Sequence, residues 1–166
     1  VRRYFTVSSS PTEDNVRLGI KINSSNASSF KKALLNLTPG KKIYTGQLAG
    51  DFVLPKKSND KYVFIAGGIG VTPFRSIAKF IIDRKEQRDI VLFYSCSNPA
   101  DFVYKDIFDS ARENGIKTVY VCSHPPQGWK GRSGHIDSKM IKEEVSEFAN
   151  RTYYLSGPAA MVEGYK

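Results

Sequence analysis

Apolar and polar positions follow two different rhythms in the two parts of this chain. Residues 1–57 carry short alternating segments at 4–8, 16–22, 42–46 and 52–54, separated by turn-rich stretches at 11–15 and 23–29. A period of two fits strands covered on one face, so this part is expected to be a piece of an antiparallel β-barrel. A short helix over about 29–36, capped by Ser28 or Ser29, interrupts it. Residues 58–166 instead alternate apolar runs with helical spacing. Strands are expected at 62–66, 90–95, 118–122 and 152–156. Phe74, Ile77, Ala78, Ile81 and Ile82 give one apolar helix face, and Tyr104, Ile107, Phe108 and Ala111 give another that Gly115 closes. Ile141, Val145 and Phe148 mark a third helix with Asp137 as its cap. Repeated βα units predict an α/β nucleotide-binding domain with a doubly wound parallel sheet. The polar stretch 56–61 is the expected linker, which divides the chain into domains 1–57 and 58–166.

The richest local signal is Tyr62-Val63-Phe64-Ile65-Ala66-Gly67-Gly68-Ile69-Gly70-Val71-Thr72-Pro73-Phe74. It reads as a buried strand, a glycine turn and a helix start, with Thr72 as cap and Pro73 in the first helical position. Helix-terminal amides and the positive dipole end make such a turn an anion site suited to a pyrophosphate. The spacing is neither the G-x-G-x-x-G fingerprint nor a Walker A loop. The plainer alternative is a strand-to-helix connection whose glycines serve packing alone. The carboxyl ends of the four strands are Ala66-Gly67, Ser95-Cys96-Ser97, Cys122-Ser123-His124 and Ser156-Gly157-Pro158. Small and polar residues at all four predict a lined crevice, where ligands of parallel sheets bind.

Composition narrows the class. Hydrophobic residues make up 40% and charged residues 25%, the balance of a globular protein. The net charge of +9 admits an acidic partner, an anionic surface or nucleic acid. The charges are scattered in doublets such as Lys31-Lys32 and Lys41-Lys42, without the aromatic interleaving of a base-stacking platform, so no nucleic acid is expected. Cys96 and Cys122 are too few for a disulfide framework or a metal site and read as buried thiols in a reducing compartment. No metal is expected. His124 and His135 have no acid–base partner in sequence and read as structural or exposed. The chain enters on Val1 and stops at Lys166. It therefore reads as a piece of a longer protein, either cytoplasmic or the cytoplasmic part of a membrane-bound parent.

Three motifs, in order, carry a resemblance to the ferredoxin–NADP reductase superfamily of flavoproteins. Arg3-Tyr4-Phe5-Thr6-Val7-Ser8-Ser9 resembles the flavin motif Arg-x-Tyr-Ser/Thr-x-x-Ser. Gly67-Gly68-Ile69-Gly70-Val71-Thr72-Pro73 resembles the nicotinamide-coenzyme loop. Tyr154-Leu155-Ser156-Gly157-Pro158-Ala159-Ala160-Met161 is similar to the Cys/Ser-Gly-Pro-x-x-Met segment. The resemblance implies FAD and NADH or NADPH as cofactors, hydride transfer from the nicotinamide to the flavin, and electrons passed to an acceptor. That acceptor would be an iron–sulfur protein or domain, a haem domain or a small molecule.

The resemblance also implies roles. Arg3 would take the flavin pyrophosphate, Phe5 would stack where the family usually has Tyr, and Thr6 would hydrogen-bond near the reactive nitrogen. Ser9 completes that motif. Gly19, Ile20 and Lys21 match the next flavin-contacting strand, and Ser28 and Ser29 would offer amides to the second phosphate. Gly67, Gly68, Gly70, Val71, Thr72 and Pro73 would hold the coenzyme, with Ser95, Ser123, Ser156, Gly157, Pro158 and Met161 completing the crevice. Thr6 and Ser156 stand nearest the chemistry, with Ser156 where many members carry Cys. NADPH-specific members often place Ser-Arg at the third strand end with a Tyr a few residues on. Ser123-His124 lacks that guanidinium, which favours NADH unless Arg132 folds inward. The plainer alternatives are barrel core for Phe5, β propensity for Thr6, a solvated strand residue for Lys21 and simple capping for Ser28 and Ser29. The family's strands before the flavin motif, and its helix, final strand and flavin-facing aromatic after Met161, are expected to be missing, with FAD held weakly or not at all. The rival class is a nucleotide-sensing or partner-docking module without hydride transfer.

Overall fold

The computed structural model describes residues 3–23, 27–46, 49–54 and 59–165. Its centre is a five-stranded, all-parallel sheet in the order β4-β3-β2-β1-β5, formed by β1 (Lys61–Gly67), β2 (Asp89–Cys96), β3 (Ile116–Cys122), β4 (Arg132–Ser133) and β5 (Thr152–Ser156). The α/β reading of the sequence is borne out. From Tyr62 to Ala66 strand β1 is apolar because both its faces are covered. Tyr62, Phe64 and Ala66 point to one core with Ile90, Leu92 and Tyr94, while Val63 and Ile65 point to a second with Val91, Phe93, Val119 and Val121.

The helices lie on both faces, as the repeated βα pattern requires. Helix α2 (Thr72–Asp83) and α3 (Lys105–Ser110) cover the first core through Phe74, Ile77, Ala78, Ile81 and Phe108. Phe64 and Phe74 stack with centroids 4.7 Å apart. Burying each such side chain stabilises the fold by roughly 1.5–3 kcal/mol. Helix α4 (Ser138–Glu144) and α5 (Ala159–Gly164) cover the second core through Met140, Ile141 and Met161. Asp137 caps α4 as expected, its carboxylate accepting from the Met140 amide at 2.7 Å. The helix stops at Glu144, short of the expected Phe148, because Val145 turns extended and tucks into the core. Helix α5 runs through Met161, where the sequence reading expected the family's helix to be missing.

The register aligns the strand ends. Gly67 pairs with Ser95, Ala66 with Ser156, and Cys96 with Cys122. At the opposite edge Arg151 binds β2 and β1 together. Its buried guanidinium forks onto Asp89 at 2.6 and 3.1 Å and donates to the Ser146 carbonyl at 2.9 Å. Cys96 and Cys122 are free and buried, and burial pushes the Cys96 thiol up to about 11.

Residues 3–54 differ from expectation. In place of strands at 4–8, 16–22, 42–46 and 52–54, the described residues hold one isolated antiparallel bridge, Val7 to Leu18, while the expected short helix is present as α1 (Ser29–Leu35). A strand needs lateral partners, and the described residues offer 4–8 and 16–22 only each other. Residues 42–46 find no ladder partner among the described residues, which leaves Tyr44 97% exposed. Phe52 packs instead edge-on against Phe74 and Tyr154, at 5.2 and 5.3 Å. Residues 56–58 of the expected linker lie outside the described residues, and Lys61 already belongs to β1. No described helix is long and apolar enough to cross a membrane.

Candidate nucleotide-binding site

The chain visits β1, β2, β3 and β4 on one side and then returns to β5 on the other side of β1. The crevice at this reversal, beyond the carboxyl ends of β1 and β5, is where open parallel sheets take ligands. Six sequence-predicted residues converge there: Gly67, Gly70, Ser156, Gly157, Pro158 and Met161.

Their glycines do different things. Gly68 adopts a φ of +52°, the left-handed region, and a side chain on it would meet nothing within 4 Å, so it faces open space. Gly70 faces protein. A Cβ there would lie 2.6 Å from the Gly157 Cα and overlap the Ser156 carbonyl. Gly70 thus lets the end of β5 come up against the turn. Beneath them, Met161 and Pro158 fill the space beside Gly67, at 2.6 and 3.0 Å from where its Cβ would stand.

The turn is a 3₁₀ helix, Gly68–Val71, that runs directly into α2. This corrects the expected cap. Val71 is already helical, with φ −68° and ψ −15°, so the backbone has no extended residue from which a Thr72 hydroxyl could fold back, and no side-chain cap forms. Thr72 is the first residue of α2 and is buried, and Pro73 follows within the first turn, where its missing N–H is tolerated. The Thr72 methyl and the Tyr104 hydroxyl lie 2.5 and 2.9 Å from where a Gly19 Cβ would stand. The Gly19 segment, expected from the resemblance to contact flavin, therefore touches helix α2 just after the 3₁₀ turn.

The remaining predicted residues divide by what they touch. Arg3 and Thr6 are exposed, and Phe5 stacks on Phe30 at 5.8 Å. Ser9 is buried; its hydroxyl accepts from the Arg17 amide at 3.0 Å and its carbonyl accepts from the Ser76 hydroxyl at 2.7 Å. Ile20 is half-buried, and the Lys21 ammonium pairs with Asp101 at 3.0 Å. Ser28 caps α1, accepting from the Lys31 amide at 3.3 Å, and Ser29 opens that helix. Ser95, Ser123 and Ser156 are half-buried at the aligned strand ends. The loops behind them are tied together by the Ser123 amide donating to Cys96 and the His124 amide donating to Ser97, both at 3.1 Å.

The profile of the oxidoreductase NAD-binding domain family matches residues 64–166, which spans β1 to α5. The chain belongs to that family. Among relatives, this NAD-binding domain protein is 30% identical over 146 residues to NADH-cytochrome b5 reductase 1 of Ajellomyces capsulatus, covering 82% of this chain and 47% of that protein. It is 25% identical over 166 residues to the flavohemoprotein of Bacillus subtilis, covering 96% of this chain and 41% of that one. The chain therefore spans less than half the length of these two relatives. The fold matches the cytochrome b5 reductase domain of Ulva prolifera nitrate reductase with a TM-score of 0.74, at 24% identity, over 98% of this chain and 69% of that one. These relatives place it in the ferredoxin–NADP reductase superfamily, as its three motifs imply.

Arg132 does not fold into the crevice of this NAD-binding domain. Its guanidinium pairs with Glu143 and reaches Glu144 at 3.6 Å, on α4. His124 is exposed and shares a 3.1 Å hydrogen bond between its Nδ1 and the Ser123 hydroxyl. Sequence reasoning missed β4, whose two residues are too short to show a period, and it missed an ion pair between Glu13 and Arg75. The only sequence sign of that pair is an Arg lodged between Phe74 and Ile77 on an otherwise apolar stripe.

Proposed function

We propose that this chain is the coenzyme-binding part, with an adjoining flavin-binding segment, of an oxidoreductase that takes hydride from NADH to FAD and passes electrons to an acceptor. The observation that carries the reading is the β1–β5 crevice. Gly68 opens toward the ligand space there, while Gly70 draws Ser156 and Gly157 to its rim. The residues present fit a dinucleotide. The Gly68–Val71 turn and the first turn of α2 would hold the pyrophosphate through backbone amides and the helix dipole. Ser156 would orient the nicotinamide beside the strand ends.

The flavin would lie along Arg3, Thr6 and Gly19; the Phe5 ring already stacks on Phe30 and the Lys21 ammonium already pairs with Asp101. Arg3 would meet its pyrophosphate and Thr6 its ring edge, with Gly19 set against Thr72. Ser9 fits it less well, because its hydroxyl and carbonyl are already engaged, and we assign it to the turn. A bound flavin supplies the redox chemistry; the chain's own residues bind and orient. NADH over NADPH is supported by His124 standing at the third strand end and by Arg132 being held on α4. The acceptor belongs to one of three classes, an iron–sulfur protein or domain, a haem domain or a small molecule, and the net charge of +9 favours an acidic one. A cytoplasmic setting is supported by the two free thiols.

The test is anaerobic stopped-flow mixing of the FAD-loaded protein with NADH or NADPH. Bleaching of the flavin absorbance, faster with NADH, is the expected result. Nucleotide binding without bleaching by either coenzyme would make the chain a sensing module and overturn the reading.

A further inference from the structure

Arg75 lies three residues after Thr72 on α2, close to the same helix face. Its side chain is buried, yet it carries a full charge. The guanidinium forks onto Glu13, with Nη2 3.0 Å from one carboxylate oxygen and Nη1 on the other. Nη1 also donates to the Ser8 carbonyl at 3.1 Å. On another side the guanidinium stands 5.6 Å from the centroid of the Tyr104 ring. Tyr104 holds a left-handed backbone, φ +60°, which a bulky residue rarely adopts, and its hydroxyl reaches Gly19. The next residue, Ser76, adds its own hydrogen bond to the Ser9 carbonyl.

This is an expensive arrangement for stability alone. A buried ion pair is often matched or bettered by apolar side chains of the same volume, and here the Arg75 Nε is left buried with no hydrogen-bond partner among the described residues. What the arrangement does uniquely is geometric. Ser8 and Ser9 continue directly from Phe5 and Thr6, and Arg75 sits one turn from the coenzyme turn. One guanidinium therefore bridges the two segments that the proposed hydride transfer must bring together.

We infer that Arg75 is a positioning residue that fixes the flavin-motif segment 3–9 against the coenzyme turn 67–72, acting through Ser8 and Glu13. The inference rests on the NADH–flavin reading for its purpose, but its geometry is testable without it. Hydrogen exchange on the whole chain, in the wild type, Arg75→Met and Glu13→Gln, reads the geometry directly. Amides in 8–17 are expected to exchange about tenfold faster or more in both variants, while those of β1, β2 and β3 stay unchanged. Should Arg75→Met loosen the core as well, Glu13→Gln at the partly exposed end of the pair decides. In the FAD-loaded protein, the limiting rate of flavin reduction is expected to fall about tenfold or more while the NADH dissociation constant holds, because misplacement costs rate rather than coenzyme binding. Unchanged exchange in both variants, or rate and dissociation constant moving in parallel, would overturn the inference. If neither coenzyme bleaches the wild-type flavin, the functional reading fails by itself, and the exchange result alone decides whether Arg75 holds the segment.

Discussion

Gly70 and Ser156 meet backbone to backbone: a side chain beginning at Gly70 would overlap the carbonyl of Ser156. The contact joins the end of the β5 strand to the turn that leaves β1, so the candidate crevice depends on a missing methyl group.

Gly70→Ala is therefore expected to push the two strand ends apart, costing about 1–3 kcal/mol of stability as an overpacked contact and weakening NADH binding about tenfold. Gly68→Ala meets open space and bears only the backbone penalty of its positive φ, about 1–2 kcal/mol. Chemical denaturation and NADH titration of the two variants separate packing from conformation.

Acid acts through Glu13. The hydrogen-bonded Arg75 guanidinium is the main cause that holds its carboxyl at about 2, below the ordinary 4.5. The unfolded chain takes up this proton first, so the contribution is complete above pH 4.5 and drains away as pH falls toward 2. Thermal melts of wild type and Glu13→Gln are expected to differ near neutral pH and to converge over that acid window.

Coenzyme choice is expected to turn on the third strand end. His124→Arg places a guanidinium beside Ser123 and should improve NADPH use about tenfold, the worth of one charge-assisted hydrogen bond. Arg132→Ala removes a cation already engaged by Glu143 and Glu144 and should leave the NADH-to-NADPH ratio unchanged. Steady-state kcat/KM for both coenzymes reads the difference.

The thiols give a probe of the sheet. Cys96 and Cys122 are register partners on β2 and β3, both buried, with the Cys96 thiol raised well above neutral pH. Neither is expected to react with iodoacetamide at pH 8 until denaturant opens the sheet, and mass spectrometry of pulse-labelled protein would follow both together.

Much of this was written locally. The run from Tyr62 to Ala66 is apolar because β1 is covered on both faces, and the Phe74 to Ile81 spacing is the face of α2 on the sheet. Asp137 announced the start of α4 because capping depends on residues three apart. Other features had no local signature. Thr72 has the identity of a cap, but a 3₁₀ turn upstream removed the extended backbone a cap needs. Alternation at 42–46 was real, yet a strand is a property of two chains lying side by side. The sequence alone could not tell Gly68 from Gly70, since one answers to its own φ and the other to a residue 86 positions away. Glu13 and Arg75, separated by 62 positions, pair only once α2 is in place.

Arg151 gives the sheet a second kind of address. Its fork onto Asp89 clamps the edge at which the strands begin, while the candidate crevice lies at the edge where they end. The molecule thus has a foundation and a working surface separated by the length of a strand. Substitutions around Arg151 are expected to change the life of the fold and leave the candidate crevice alone, whereas substitutions at Gly68 and Gly70 bear on the fold and the crevice together.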